Sequence, residues 1–358
     1  MITVPGKILF YGQYAVLEKG FSAFSFAVLD KKNKGVSISF KLGQKRIISK
    51  QFGLNFEPKT FDNLVSYPYL FSEEYLKHIN CWKKDVSLSL SNSSIFGTKK
   101  NKSGLGSSAA ATVAIVKALF SAQGLEQEKH LDIIHKIAQY SYAAFSKKLG
   151  SGYDIATAAY CTSIEYKRFE PNFINDEKIL DKKYFIDILN TNWPGLEVKP
   201  FSLPSDYSVL FFNILEGFTS TFSSIKTFYK FKEFNPELYF KLLKKQNDAE
   251  KNAFFFLLKK DSLKVRDYTH QAREYLNLLS FQAKKLSKDF DLVEPPVLTK
   301  LIEKAEELDG VIAGRCPGSG GKDGIAFLVD KNFSDSKKIL KIGRELNIKL
   351  KEIKLKIV

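Results

Sequence analysis

Short alternations of apolar and polar residues dominate the first sixty positions, as in "SAFSFAVLD" (22–30) and "KGVSISFKL" (34–42). A period of two marks half-buried strands, with turns predicted at Gly20 and at Asn33–Gly35. Further on the period lengthens. Residues 107–123 and 127–147 carry apolar positions at three- and four-residue spacing and predict two helices, the first closed by Gly124. A strand is expected around 160–167, then a polar stretch to about 200, then a buried strand in "YSVLFFNIL" (207–215). Residues 222–288 keep a helical period over most of their length. "VIAGRCPGSGGKDGIAFLV" (311–329) reads as strand, glycine loop, strand; a helix over 334–346 and a strand over 348–358 complete the chain. Strands and helices mix without regular βαβ alternation, so an α+β fold is expected rather than a doubly wound sheet. A domain boundary falls between 166 and 206, giving expected domains of 1–195 and 196–358.

Composition narrows the class. At 358 residues and 44% hydrophobic, the chain can bury a large core, in one large domain or two modest ones. No apolar run approaches the roughly 18–20 residues needed to span a bilayer, and the start does not read as a signal peptide. Cys81, Cys161 and Cys316 are too few and too scattered for a disulfide framework or a Cys-rich metal site, so a cytoplasmic protein is expected. The formal charge of +16 favours anionic ligands. Lysines are spread along the whole chain, with no basic tail or zinc-finger spacing, and nucleic acid is not the expected partner. His78, His130, His135 and His270 show no metal-ligand spacing; His130 and His135, on a predicted helix, are expected to face solvent.

The densest chemical signal is "NKSGLGSSAAATVAIVKALF" (101–120), where a glycine-rich turn runs straight into an apolar helix. Glycines open backbone angles closed to other residues. The first turn of a helix has unpaired amides and the positive end of the dipole, and together these bind phosphate. Ser107 and Ser108 add hydroxyls. The stretch lacks the Gly-Lys-Ser/Thr ending of a P-loop. Gly104-x-Gly106-x-x-Ala109 fits the dinucleotide fingerprint, but the preceding "GTKKNKS" is polar where an apolar strand is required.

Three separated motifs resemble the GHMP kinases, the family of galactokinase, homoserine kinase and mevalonate kinase. They are "VPGKILFYGQYAVLEKG" (4–20), "KSGLGSSAAA" (102–111) and "CPGSGGKDGIAFL" (316–328), in the family's order and bracketing nearly the whole chain. The phosphomevalonate kinase branch is resembled most, in "GQYAVLEKG", in "GSGYDIATAAY" (150–160), in Pro317-Gly-Ser-Gly-Gly-Lys-Asp323 and in the segment 193–226. The resemblance implies an N-terminal domain like ribosomal S5 domain 2, a ferredoxin-like C-terminal domain, and an active site between them. It implies ATP and Mg²⁺ as cofactors and transfer of the γ-phosphoryl to a small acceptor that already carries a phosphate. Another GHMP acceptor, mevalonate or a sugar, is the alternative within the family; a basic binding protein is the alternative outside it. A monomer or homodimer without nucleic-acid or membrane partners is expected.

Residue by residue, the resemblance places Lys7 beside the transferring phosphoryl and Asp154 as the group that orients Lys7 and the acceptor, while Asp154 also suits the N-cap of the helix that follows. Lys102, Gly104, Leu105, Gly106, Ser107, Ser108 and Ala109 form the ATP loop, with Ser108 as the protein ligand to Mg²⁺. Tyr14, Ser151, Gly152, Ser220, Gly318, Ser319, Gly320 and Gly321 line the acceptor pocket. The amides of the 318–321 loop are expected to hold phosphate, with Arg315 and Lys322 adding positive charge. Two departures stand out: Ala143 occupies the position where mevalonate and homoserine kinases carry a metal-binding glutamate, and Gln13 stands where relatives usually have Glu.

Overall fold

The computed structural model describes residues 1–97, 103–147, 150–215, 221–287, 290–321 and 324–358. The chain divides into two compact units, one built from residues 1–7, 26–200 and 358, the other from 8–25 and 201–357. The strands β1 (Ile2–Val4), β2 (Gly6–Tyr11), β3 (Ser22–Asp30), β4 (Val36–Leu42), β5 (Arg46–Ser49) and β6 (Leu54–Phe56) come first, then helix α1 (Ser66–His78) and strand β7 (Val86–Asn92). Three helices follow, α2 (Ser107–Ala122), α3 (Leu131–Ser146) and α4 (Tyr153–Tyr160), then β8 (Ile164–Lys167), α5 (Lys182–Leu189) and β9 (Glu197–Pro200).

In the first unit five strands lie in the order β1-β4-β7-β5-β6. Antiparallel pairing of β4 with β7 sets Ile38 opposite Leu90 and Phe40 opposite Leu88. Val36, Ile38, Leu88 and Leu90 are buried, as a strand with one face on the core requires. Helix α2 packs on β1, β4 and β7 and also against α1, α3 and α4. That double coverage explains its composition: Ala110, Val113, Ala114, Ile115, Val116, Leu119 and Phe120 are all fully buried, and a helix apolar all round is a helix enclosed all round.

The second unit holds β10 (Tyr207–Ile214), the helices α6 (Thr221–Phe234), α7 (Pro236–Leu258), α8 (Ser262–Leu286) and α9 (Pro296–Glu306), strands β11 (Val311–Arg315) and β12 (Gly324–Asp330), helix α10 (Ser336–Glu345), and strands β13 (Leu350–Ile353) and β14 (Leu355–Ile357). Its sheet runs β11-β12-β10-β13. Numbered within the unit, that is second, third, first and fourth strand, the ferredoxin-like order, with the four helices α6–α9 in the first crossover. Two apolar clusters fill it. One lies under the sheet, around Phe212, Ile302, Ile325 and Phe327. The other gathers Phe228, Phe231, Leu243 and Leu279 from the helices, and Phe290 from the segment between α8 and α9, around Tyr14, Ala15 and Leu17.

Three sequence expectations are corrected. The helix expected over 127–147 begins as a 3-10 turn at 128–130, and α3 proper starts at Leu131. The polar stretch before 200 contains α5, whose start is fixed by Asp181: its carboxylate accepts the Tyr184 amide at 2.7 Å. The last strand is two, β13 and β14, parted at Lys354.

Candidate functional site

In the first unit the glycine loop, the start of β2 and the start of α4 meet. Gly104 and Gly106 have φ of +72° and +80°, the left-handed region where only glycine is unstrained. The Leu105 carbonyl between them accepts the Lys7 amide at 2.9 Å. A Cβ on Gly6 would lie 2.6 Å from that same carbonyl, so Pro5-Gly6-Lys7 needs its glycine to approach the loop. The aliphatic stem of Lys7 lies over Gly106, where an added Cβ would stand 3.0 Å from Cγ, and Lys7 Nζ donates to the Gly104 carbonyl at 2.9 Å. Loop and lysine are therefore one assembly.

Gly106 is the N-cap of α2 and no side chain caps the helix. The first backbone bond inside the helix runs from the Ala110 amide to the Gly106 carbonyl, 3.0 Å. The amides of Ser107, Ser108 and Ala109 therefore have no acceptor within the helix, and its positive end is open to an anion. Ser107 and Ser108 are half-buried, Leu105 and Ala109 buried.

Gly152, at φ +85°, is the N-cap of α4. Asp154 lies in the first turn rather than at the cap, so the capping role that its sequence position also suited is not the one it fills; its carboxylate accepts the Ile155 amide at 3.0 Å. Burial pushes the Asp154 carboxyl above its ordinary pKa, and the Lys7 ammonium pulls it back. Lys7 Nζ also stands 5.3 Å from the centre of the Tyr153 ring, within reach of a cation–π contact. Burial raises the Tyr153 phenol and Lys7 opposes it there too. Lys7, the 104–109 loop, Ser151, Gly152 and Asp154 thus converge. Tyr153 was missed by sequence reasoning, and nothing in its spacing marks it.

The second glycine loop follows β11. Gly318, Gly320 and Gly321 all have positive φ. Their amides donate within the protein: Gly318 to Leu9 O at 3.3 Å, Gly320 to Pro317 O at 3.2 Å, Gly321 to Val293 O at 2.7 Å. Three of the four amides expected to cradle phosphate are therefore engaged within the protein, where they hold the loop in place. Tyr14, stacked on Phe228 at 3.7 Å, donates its hydroxyl to the Ser319 carbonyl at 2.7 Å, tying the β2–β3 connection to the loop.

Arg315 is also corrected. It is 1% exposed, and Nη1 faces the fully buried Glu250 at 2.9 Å while Nη2 donates to Gln13 Oε1 at 2.7 Å. Gln13 in turn donates to the Cys316 carbonyl at 3.2 Å. The expected flanking charge is a core ion pair, and Gln13 is its neutral partner: a Glu there would put a second carboxylate beside Glu250. Burial pushes Glu250 upward and Arg315 pulls it down.

His135, expected at the surface, is 1% exposed; burial lowers its pKa to about 4. Ala143 lines a small cleft with Gln139, Tyr142, Ser146, Gly152 and Arg168, a lining without a carboxylate. Lys102, Ser220 and Lys322 lie outside the described residues. Among the described residues no three His, Cys, Asp or Glu side chains converge as a metal site.

Residues 70–162, which include α2, α3 and α4, match the family described as GHMP kinases N terminal domain. Across its full length the chain superposes on Streptococcus pneumoniae phosphomevalonate kinase in complex with phosphomevalonate and AMPPNP, with a TM-score of 0.77 at 20% identity, covering 100% of this chain and 99% of that one. Residues 70–162 thus carry a GHMP kinase N-terminal domain match, and the chain as a whole has the fold of that solved kinase. In sequence the chain is similar to curated phosphomevalonate kinases. It is 29% identical to the phosphomevalonate kinase of Candida albicans over 258 residues, 66% of this chain and 58% of that protein. It is also 29% identical to that of Saccharolobus solfataricus over 333 residues, 91% of this chain and 89% of that protein. The chain spans less than two thirds of the Candida protein it matches.

Proposed function

We propose that this protein transfers the γ-phosphoryl group of ATP to the phosphate of 5-phosphomevalonate, giving 5-diphosphomevalonate and ADP. The observation that carries the reading is the assembly in the first unit: one lysine bonded to the ATP-loop carbonyl and electrostatically coupled to Asp154 at the start of the next helix. The acceptor is a phosphate oxyanion, nucleophilic without a strong base. The barrier is repulsion between two polyanions, so positioning and charge neutralisation supply the catalysis.

In this reading the open amides of Ser107, Ser108 and Ala109 bind the nucleotide's phosphates. Lys7, fixed by Gly104, sets its positive charge beside the group in flight. Asp154 orients Lys7 and the acceptor and is not required as a base. Ser151 and Gly152 border the acceptor in the first unit. Mg²⁺ suits the donor set as an ion carried on ATP's phosphates with Ser108 as its protein contact, since among the described residues no carboxylate cluster gathers to hold it alone; when bound it would neutralise phosphate charge. No helix among the described residues is long and apolar enough to cross a membrane, and we place the enzyme in the cytoplasm.

A coupled ADP-release assay with 5-phosphomevalonate, mevalonate and sugars as acceptors tests the reading; it fails if 5-phosphomevalonate is not the preferred acceptor. Lys7→Ala should lower kcat by about 10²–10³-fold, the scale of losing one preorganised electrostatic group, while changing ATP affinity little. Unchanged turnover would remove Lys7 from the mechanism.

A further inference from the structure

Gln139, on α3, is a 3% exposed polar side chain. A buried carboxamide is costly unless its hydrogen bonds are made. This one makes them to an unusual place. Nε2 donates to the Gly152 carbonyl at 2.6 Å and to His135 Nε2 at 3.0 Å. The Gly152 carbonyl is also the acceptor for the first backbone bond of α4, from the Ala156 amide at 3.0 Å. One oxygen therefore ties the start of α4 both to its own helix and to α3.

Two further contacts reinforce the tie. Tyr166, on β8, donates its hydroxyl to the Ser151 carbonyl at 2.9 Å, pinning the residue just before. Gly152 leaves the space that the carboxamide occupies: a Cβ there would lie 2.2 Å from Gln139 Oε1. The next two residues are Tyr153, whose ring faces the Lys7 ammonium, and Asp154, whose carboxyl feels it.

We propose that Gln139 is a positioning residue for the acceptor side of the reaction. By holding the Gly152 carbonyl, with Tyr166 holding that of Ser151, it fixes the bearing of α4 and hence the distance of Asp154 and Tyr153 from Lys7. The inference rests on the phosphoryl-transfer reading for its kinetic consequence but not for its structural one. A side chain that merely filled the core would, on loss, weaken the fold without favouring one substrate over the other.

The test uses the full chain with Gln139→Met, which keeps length and removes the donor, and Gln139→Glu, which keeps shape but presents an acceptor to the Gly152 carbonyl. Expected for both is a rise of about tenfold or more in KM for 5-phosphomevalonate and a lower kcat, with the Kd of AMPPNP within about twofold of wild type. Equal losses for both ligands, or none, would overturn the proposal. A readout independent of activity is amide hydrogen exchange, which should accelerate at 152–156 in both variants but not at 107–110. Unchanged exchange at 152–156 sinks the positioning role even if kinetics shift. Should wild type fail to phosphorylate 5-phosphomevalonate, the functional reading falls, while the exchange result still decides whether Gln139 holds α4.

Discussion

His135 and Gln139 are four residues apart on α3, and their pairing sets the histidine's protonation. The Gln139 amide donates to Nε2, so the imidazole is neutral with its proton on Nδ1, which has no partner. Burial lowers the folded pKa to about 4, with Asp132 working against that shift and Lys136 adding to it. An unfolded histidine takes a proton near pH 6.5. Between those values the unfolded chain binds a proton that the folded chain refuses, so this contribution is complete above pH 6.5 and drains away as pH falls toward 4. The shift corresponds to about 3 kcal/mol. Urea titrations from pH 7 to 4 should show it, and His135→Met should flatten that part of the slope; an unchanged slope would assign the acid sensitivity elsewhere. At this scale the family resemblance named Lys7, Asp154 and the glycines Gly104 and Gly106 from short motifs, and the structure brings these residues together. Arg315 was misread because flanking a loop says nothing about burial: Glu250, the partner that draws it inward, lies on a helix sixty-odd residues earlier. Gln139 carried no signal, since its acceptor is across a helix-to-helix turn.

The strands predicted over 22–30, 34–42 and 207–215 and the well-buried helices were legible, and one short, lightly buried helix was not. The helix α2 reads from sequence because the sheet and three helices all demand apolar residues of it. The helix α5 does not, because only Phe185, Ile188 and Leu189 face inward and its start depends on one Asp181 hydrogen bond. The glycine loop after β11 was recognised as a loop, but the use of its amides could not be read. They bond to Leu9, Pro317 and Val293, distant in sequence or hidden in the turn itself. That seating makes a comparison possible. An added Cβ at Gly320 would stand 2.4 Å from Val293 Cγ1 and 2.5 Å from Val293 O, whereas Gly53, at a similar φ of +66°, has nothing within 4 Å. Gly53→Ala should cost only the left-handed penalty of about 1–2 kcal/mol. Gly320→Ala should cost clearly more, because backbone atoms rather than a flexible tip must move. Urea midpoints of the two variants measure the difference, and equal midpoints would mean that the loop seat yields.

For the whole molecule, the α+β class follows from the mix of strands and helices, and the ferredoxin-like order of the C-terminal sheet is what the family resemblance implied, but the division of the chain follows from neither. The second unit recruits residues 8–25 from the far N-terminus. No composition shift marks that segment, because its contribution is a set of contacts: Glu18 with Lys232 at 2.8 Å and with the Tyr239 hydroxyl at 3.1 Å, Ser22 with Asn247, and the Tyr14 ring on Phe228. Tyr14, Ala15 and Leu17 sit inside the helical cluster rather than beside it.

Cutting the gene at codon 201 would therefore not yield two workable halves. A fragment of 201–358 would expose the apolar seat of Tyr14, Ala15 and Leu17 and is expected to precipitate or bind hydrophobic dye. Supplying a synthetic peptide of 8–25 in trans should restore solubility, making this short hairpin the natural handle for fragment complementation; a 201–358 fragment that stays soluble and ordered by itself would show the peptide to be dispensable.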